Sequence, residues 1–314
     1  MNKLVNTILF LSFLFLSFKA WSLNTALYLS DKTRYPIEEA GKALARVIHE
    51  NSKAVLIFVH GRGKHPQKGL EMLPELEKRY AIRVIMFHWD SWINPFTRPT
   101  QNAEEAGADL LQVLMQLDDF KHNNPQLMKT VGFSMMAHSM GSIVVESMLK
   151  EYAANSFSQN LFKNLIINQS DSEAREHSGW LSRADFQKNL FVTFSNKDSI
   201  LKLSQKLDPG HRLGLGLRLK DETKKTKRPI FPKTKGYFPW AAQANYMNFT
   251  KVTKKLHNTY LPKQKEKYKT AIDFFKNILG SKNYKLTSVN NIFKKKFPNE
   301  RLPHPLIYEL RKSP

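Results

Sequence analysis

Cysteine is absent from this chain of 314 residues. Its absence excludes disulfide bonds, thiol catalysis, cysteine-bound metals and lipid attachment at a leader cysteine. An H-E-x-x-H motif or a comparable cluster of metal ligands is also missing, so the sequence predicts neither a metal site nor a cofactor. Any catalysis by this chain must therefore use its remaining side chains and backbone groups.

Acidic residues are scarce, with 27 Asp and Glu against 49 Lys and Arg and a formal net charge of +22. Such an excess attracts anionic partners such as a phospholipid surface, acidic glycans or nucleic acid, although a lysine-rich composition also serves solubility. Nucleic acid is the least favoured partner. Binding to nucleic acid is favoured by aromatic side chains interleaved with Lys and Arg, and residues 294–297 offer only a short cluster of this kind. The composition does not indicate an oligomeric state.

Long apolar runs are also few, and the most prominent one lies near the N-terminus. Asn2-Lys3 forms a short basic start, residues 8–18 are almost wholly apolar, and Ala20-Trp21-Ser22 offers small residues at positions minus three and minus one of a cleavage site. This pattern predicts a signal peptide at 1–22 that is removed on export to the periplasm or the medium. An uncleaved membrane anchor is the alternative, but the run is shorter than the about 20 residues that a span needs.

The rest of the chain alternates strand-like and helix-like segments. Residues 54–59 are continuously apolar, which is typical of a parallel strand buried on both faces. Strands are predicted at 25–29, 54–59, 83–87, 130–136, 164–167, 189–194 and, more weakly, 248–252, and helices at 37–50, 70–80, 103–117 and 268–280. The alternation predicts an α/β fold with a mainly parallel, helix-covered sheet in one domain, 23–280.

Two regions depart from this alternation. Residues 207–246 are rich in Gly, Pro, Lys and Arg and precede the last predicted strand, which indicates an insertion that acts as a lid. Their apolar side chains would either bind an acyl chain or simply pack under the loop. Residues 281–314, with three consecutive lysines at 294–296 and prolines at 298, 303 and 305, are predicted to form a basic C-terminal tail.

The most informative motif places Ser139 between two small residues, Ala137 and Gly141, where a strand-like run gives way to a helix-like one. This is the layout of a nucleophile elbow, in which the serine occupies a turn too tight for large neighbours. The motif has Ala in place of the first glycine of G-x-S-x-G. The plain alternative is a small-residue turn of any α/β protein.

A nucleophilic serine needs a base and an acid that orients it. His257 is the candidate base, because it follows the last predicted strand and would enter the site on a loop. Asp198 follows the strand at 189–194 and is the candidate acid, with Asp171 as the alternative. His304 lies too deep in the tail and His211 lies in the predicted lid.

Backbone N–H groups are the candidate oxyanion donors, because they are fixed dipoles that need no reorganisation. One belongs to Met140, directly after the serine, and the other to Arg62, which follows His60-Gly61, where glycine lets the backbone approach a substrate. We expect structural roles for His60 in its turn and for His138 in the elbow.

Taken together, these features resemble the α/β-hydrolase superfamily, and within it the lipase- and esterase-like bacterial serine hydrolases of poorly defined function. The resemblance rests on the buried strand that runs into His60-Gly61, the elbow at 137–141, and the chain order Ser139, Asp198, His257, and it spans residues 54–260. It implies a doubly wound sheet and a Ser-Asp-His triad. Ala137 is a mild departure from the pattern.

The predicted function is that of an exported serine hydrolase that cleaves a carboxylic ester, an acyl ester or a lipid, through an acyl-enzyme. Cationic residues at 62–68 and 220–228 favour a substrate with an anionic group or an anionic membrane. The alternative is a non-catalytic binding protein on a hydrolase scaffold that recognises an anionic lipid or glycan. Loss of a triad member would mark such a protein, and the sequence has a candidate for each.

Overall fold

The computed structural model of the chain describes residues 24–49, 54–63, 66–151, 157–158, 160–217, 240–280, 293–296 and 307–310. The predicted signal peptide at 1–22 lies outside the described residues. So do residues 218–239 of the predicted lid, most of the predicted tail, and His304. No helix in the described part of the chain is long and apolar enough to cross a membrane.

A ten-stranded sheet forms the centre of the fold, in the order β2-β1-β4-β3-β5-β6-β7-β8-β10-β9. The strands are β1 (Ala26–Tyr28), β2 (Arg34–Tyr35), β3 (Ala54–Val59), β4 (Arg83–His88), β5 (Gly132–His138), β6 (Phe162–Asn168), β7 (Gln187–Phe194), β8 (Ala244–Asn248), β9 (Phe293–Lys296) and β10 (Ile307–Leu310). Strands β3 to β8 and β10 run parallel, and antiparallel pairs occur only towards the edges of the described sheet. The predicted α/β class with a mainly parallel sheet is confirmed.

Helices connect the strands and cover both faces of the sheet. They are α1 (Ala40–His49), α2 (Pro66–Leu70), α3 (Leu73–Tyr80), α4 (Thr100–Asn123), α5 (Pro125–Met128), α6 (Gly141–Glu151), α7 (His177–Leu181), α8 (Ser199–Leu207), α9 (Thr250–Thr253) and α10 (Lys269–Leu279). Short 3-10 turns lie at Ile37–Glu39, Leu213–Leu215 and Glu266–Tyr268.

Strand β3 shows why its sequence is continuously apolar. Val55, Ile57 and Val59 belong to one hydrophobic cluster, together with residues of α1, α4 and α6. The alternate residues of the strand, including Leu56 and Phe58, belong to a second cluster with residues of α3 and α10. Because successive side chains of a strand point to opposite faces, burial on both faces requires apolar residues throughout.

The last strand predicted from sequence is misplaced. Strand β8 ends at Asn248, and residues 250–253 form α9 instead of continuing a strand. The side-chain oxygen of Asn248 accepts a hydrogen bond from the backbone of Thr250 at 3.0 Å, a local bond that starts a turn. The predicted insertion at 207–246 therefore overlaps β8, and its first residues end α8 and form the 3-10 turn at Leu213–Leu215.

The sequence did not predict three strands of the sheet, the short β2 and the two strands β9 and β10. Strand β10 pairs in parallel with β8, and β9 pairs with β10 in antiparallel orientation. Both lie in the stretch that the sequence analysis assigned to a basic tail. Three consecutive lysines lack the apolar pattern that predicts a strand, so β9 was assigned to the tail. Charged side chains are nevertheless common on edge strands, because they discourage pairing with other chains.

Candidate active site

Ser139 lies between the end of β5 and the start of α6 with a φ angle of 55°. This left-handed conformation is uncommon for a residue with a side chain and is found mostly where function requires it. Two backbone bonds hold the turn: the N–H of Ser139 donates to the carbonyl of Asn168 at 3.1 Å, and the N–H of Ser142 donates to the carbonyl of Ser139 at 3.1 Å. The geometry is that of a strand–elbow–helix motif.

Two glycines make this tight arrangement possible. A Cβ atom on Gly61 would lie 2.7 Å from the Cβ of Ser139, and one on Gly141 would lie 2.5 Å from the carbonyl oxygen of Val59. Both distances are far below van der Waals contact. Glycine at these positions therefore lets the loop after β3 and the start of α6 close on the serine.

Asp198 and His257 are hydrogen-bonded to each other. The Nδ1 atom of His257 lies 2.7 Å from Oδ2 of Asp198. The other oxygen of Asp198 caps α8 by accepting the N–H groups of Ile200 and Leu201 at 2.9 and 3.1 Å. Because the carboxylate is fully buried and held by the helix, it fixes the orientation of the imidazole. A carboxylate acceptor at Nδ1 leaves Nε2 of His257 to take a proton.

The imidazole of His257 lies against His138, the residue directly before Ser139, with ring centroids 4.6 Å apart. His138 Nε2 is 3.0 Å from Oδ1 of Asn258, and its Nδ1 is 3.0 Å from Nδ2 of Asn168. Burial, reinforced by His257, holds the pKa of His138 well below its usual range. A neutral His138 that donates from Nε2 therefore ties the loop carrying His257 to the elbow.

Asn168, at the end of β6, connects this loop to the sheet. Its side-chain oxygen accepts hydrogen bonds from the hydroxyls of Thr193 at 2.6 Å and Thr259 at 2.9 Å. The sequence did not predict a role for Asn168, Thr193 or Thr259. One feature of the sequence could have indicated Asn168, because it is a polar residue at the end of an apolar strand. The carboxyl ends of parallel strands share one edge of the sheet, so this residue had to lie near the elbow.

Of the two predicted oxyanion donors, Met140 directly follows Ser139 in the chain, whereas Arg62 lies in the loop after β3. Within the part of the chain that the structure describes, neither the N–H of Met140 nor that of Arg62 donates to a protein acceptor. Arg62 follows the turn at His60-Gly61, which approaches the Cβ of Ser139 closely. Unengaged backbone donors beside a serine are the arrangement that an oxyanion requires.

His60 is part of a buried aromatic cluster. Its Nε2 lies 3.0 Å from Nδ1 of His88, its Nδ1 lies 2.6 Å from the carbonyl of Gly61, and its carbonyl accepts the indole N–H of Trp89 at 2.9 Å. Burial, with His88 adding to it, lowers the pKa of His60 to about 3. These contacts suit a residue that shapes the turn after β3.

Asp171, the alternative acid, has different partners. Its Oδ2 accepts from Nη2 of Arg98 at 3.1 Å and from the hydroxyl of Ser204 at 3.0 Å, and Arg212 lies 3.5 Å from its Oδ1. Its N–H donates to the carbonyl of Ser139 at 3.1 Å. Asp171 is thus a buried charge partner beside the elbow, whereas the structure brings Asp198 to His257.

Gln169 is another residue that the sequence did not reveal. It follows β6, has a φ angle of 46° and is completely buried. Within the described residues, neither polar atom of its side chain has a hydrogen-bond partner. Because burying an unpaired amide destabilises a fold, the side chain of Gln169 lowers the stability of the loop after β6.

Comparison with curated proteins found no match. Among solved structures, the chain is similar to a lipase-esterase related protein from Clostridium acetobutylicum (19% identity, TM-score 0.23), with 40% of this chain and 46% of that one covered. It is also similar to carboxyl esterase 2 from Tuber melanosporum (11% identity, TM-score 0.37; 72% and 77% covered). For an esterase from Mycobacterium marinum the identity is 10% and the TM-score 0.36, with 83% and 82% covered. The match spans less than half of the Clostridium protein.

The family comparison is more informative than these low structural scores. Residues 37–234 match the family described as alpha/beta hydrolase of unknown function (DUF900). The match covers more than half of the chain and includes β3, the elbow and Asp198, while His257 lies beyond it. The chain therefore belongs to this family of α/β hydrolases.

Proposed function

We propose that this protein is an exported serine hydrolase that cleaves carboxylic esters through an acyl-enzyme. The observation that carries the proposal is the 2.7 Å bond between His257 and the buried Asp198, at the edge of the sheet where Ser139 occupies a left-handed elbow. A serine, a histidine and a carboxylate in these roles form a triad on many unrelated chains.

In the proposed reaction, Nε2 of His257 takes the hydroxyl proton as Ser139 Oγ attacks the ester carbonyl. The imidazolium that forms is stabilised by Asp198, which stays ionised. Collapse of the tetrahedral intermediate breaks the C–O bond, and His257 gives its proton to the departing alkoxide. Water then repeats the sequence on the acyl-enzyme, which releases a carboxylic acid and restores Ser139.

The negative charge of the intermediate would be bound by the N–H groups of Met140 and Arg62. Removal of one such donor typically costs about 100- to 1000-fold in kcat, because fixed dipoles in a site that excludes water act strongly. Backbone donors cannot be removed by side-chain substitution, so Gly61 and Gly141, which position them, are the residues through which this step can be tested.

The side chain of Arg62 favours an ester that carries a negative group. Its guanidinium lies 4.8 Å from the ring centre of Trp92 and interacts electrostatically with Asp171 and Arg98. A small-molecule ester with an anionic substituent and an ester lipid both fit this cationic neighbourhood.

Labelling with a fluorophosphonate probe tests the proposal, because the probe reacts only with an activated serine. We expect wild type to be labelled and Ser139→Ala to be unlabelled. Ser147→Ala is the matched control, since Ser147 lies on α6, the helix that follows Ser139, but its hydroxyl donates to the carbonyl of Glu104 on α4, so its loss should leave labelling intact. A folded wild type that stays unlabelled would favour the non-catalytic binding scaffold.

Export rests on the N-terminal sequence alone. We expect the protein recovered from the periplasm or the medium to begin after Ser22, which intact-mass measurement determines. Protein that stays in the cell with residues 1–22 attached would contradict export with cleavage.

A further inference from the structure

Helix α8, which Asp198 caps, presents apolar side chains to solvent. Ile200, Leu203 and Leu207 follow the spacing i, i+3, i+7 and therefore lie on one side of the helix. They are 50%, 54% and 41% exposed, whereas Leu201 and Ser204, on the neighbouring face of the helix, are buried. A surface helix normally directs its apolar stripe to the core, so an outward stripe indicates contact with a second apolar phase.

Lysines surround this stripe. A surface pocket of about 380 Å³ is lined by Lys197, Ser199, Lys202, Leu203, Lys206 and Lys255. Its four lysines are exposed. The only acidic residue between positions 196 and 207 is Asp198, which is fully buried. The surface of α8 thus combines apolar side chains with uncompensated positive charge.

The stripe on α8 has a neighbour in the loop between β4 and α4. Among the described residues, the exposed large hydrophobic side chains are Ile93, Phe96, Met115, Ile200, Leu203 and Leu207. All except Met115 follow the carboxyl end of a parallel strand, which is also the edge that carries Ser139. Arg98, two residues after Phe96, forms an ion pair with Asp208, the residue after Leu207. This ion pair holds the two exposed segments beside each other, and we call the five side chains the apolar rim.

We propose that the apolar rim and the lysines of α8 form a docking surface for an anionic phospholipid bilayer. The lysine ammonium groups would bind lipid phosphates while the apolar side chains enter the boundary between head groups and acyl chains. Docking in this orientation places the edge of the sheet that carries Ser139 against the membrane. The proposal concerns binding and does not depend on hydrolysis.

Vesicle co-sedimentation tests the charge requirement. Wild type should bind vesicles made of equal parts phosphatidylcholine and phosphatidylglycerol more tightly than vesicles of phosphatidylcholine alone. Lys202→Glu with Lys206→Glu should weaken binding to the anionic vesicles by about 30-fold or more. The matched control is Lys129→Glu with Lys188→Glu, which changes net charge equally but lies at the amino ends of the strands, where both lysines are exposed. This control should retain wild-type binding.

The apolar contribution has its own variant. Leu203→Gln with Leu207→Gln keeps good helix formers in α8 and should weaken binding to anionic vesicles by about tenfold or more. Met115→Gln, at a side chain that is 49% exposed on α4, should leave binding unchanged.

Fluorophosphonate labelling of every variant separates this proposal from the hydrolase proposal. The docking variants should be labelled like wild type, and Ser139→Ala should bind anionic vesicles like wild type. Equal binding of neutral and anionic vesicles by wild type would overturn the docking surface. Equal losses in the α8 variant and its control at the amino ends would also overturn it, because total charge would then explain the attraction.

Discussion

Asp198 combines two tasks, since one carboxylate oxygen caps α8 and the other binds His257. A single residue thereby couples the position of the proposed base to the start of a helix. Asp171, on the neighbouring strand end, is equally buried but neutralises Arg98 and lies near Arg212. Loss of charge at Asp198 should therefore lower activity, whereas loss of charge at Asp171 should lower stability.

Replacement by asparagine distinguishes these tasks. Asp198→Asn keeps a good helix cap but favours the wrong imidazole tautomer, so kcat on a soluble p-nitrophenyl ester should fall by about 10⁴-fold with little loss of stability. Asp171→Asn leaves Arg98 and Arg212 with the half-exposed Asp208 as their remaining ion-pair partner and should cost about 1–3 kcal/mol of unfolding free energy. Its folded fraction should remain active. Steady-state kinetics and urea unfolding measure both effects, and the reverse pattern would assign the acid to Asp171.

The elbow pattern and the chain order were enough to name Ser139, Asp198 and His257 as candidates. The residues that hold them in place could not be named from the sequence. Asp198 and His257 each follow a strand, so topology alone brings them to one edge of the sheet. The bonds from Asn168 to Thr193 and Thr259 depend on the register between strands and on a loop conformation. Neither is encoded in local periodicity, and the triad itself stays a prediction until Ser139 is tested.

At the scale of the elements, the elbow depends on how closely α6 approaches the end of β3. A Cβ atom on Gly141 would lie 2.5 and 2.6 Å from the carbonyl oxygens of Val59 and His60, which are backbone atoms of a central strand and its turn. Backbone cannot move aside as a flexible side chain can, so the clash must shift the helix or break the turn.

Gly141→Ala should therefore destabilise the protein by about 3 kcal/mol or more and abolish fluorophosphonate labelling. Gly179→Ala is the matched control, because a Cβ there meets nothing within 4 Å. Since Gly179 lies inside α7, the same substitution should raise stability by up to about 1 kcal/mol. Urea unfolding measures both values. A Gly141→Ala protein with wild-type stability would show that α6 does not pack as closely as described.

The sequence predicts best those strands that are buried on both faces of the sheet, because their residues are then continuously apolar. Strand β3 was predicted with its observed bounds because both faces of the sheet are covered. Strand β8 was misplaced because residues 248–252 contain a phenylalanine, a threonine and a valine that suit a strand, while a local bond from Asn248 starts a turn. Strand β10 pairs with β8, and β9 pairs with β10. Such pairing between strands cannot be read from a local sequence pattern.

At the scale of the whole molecule, buried histidines add to the electrostatic effect of the formal net charge of +22. Three of the buried histidines are His60, His88 and His177. Burial is the first cause that lowers each pKa, to about 3 for His60 and about 4 for His88 and His177. These rings are neutral in the folded protein over the range where histidines of an unfolded chain, with a pKa near 6.5, become charged.

This difference makes stability depend on pH. Because the unfolded chain binds more protons below pH 6.5, the free energy of unfolding should fall as pH decreases from about 6.5 towards 4. Each of these three histidines contributes a slope of up to about 1.4 kcal/mol per pH unit. Urea unfolding between pH 7.5 and about 5 measures the slope. The substitution His177→Gln should reduce the slope by the contribution of one histidine, up to about 1.4 kcal/mol per pH unit. A stability that stays level down to pH 5 would mean that these rings accept protons without unfolding.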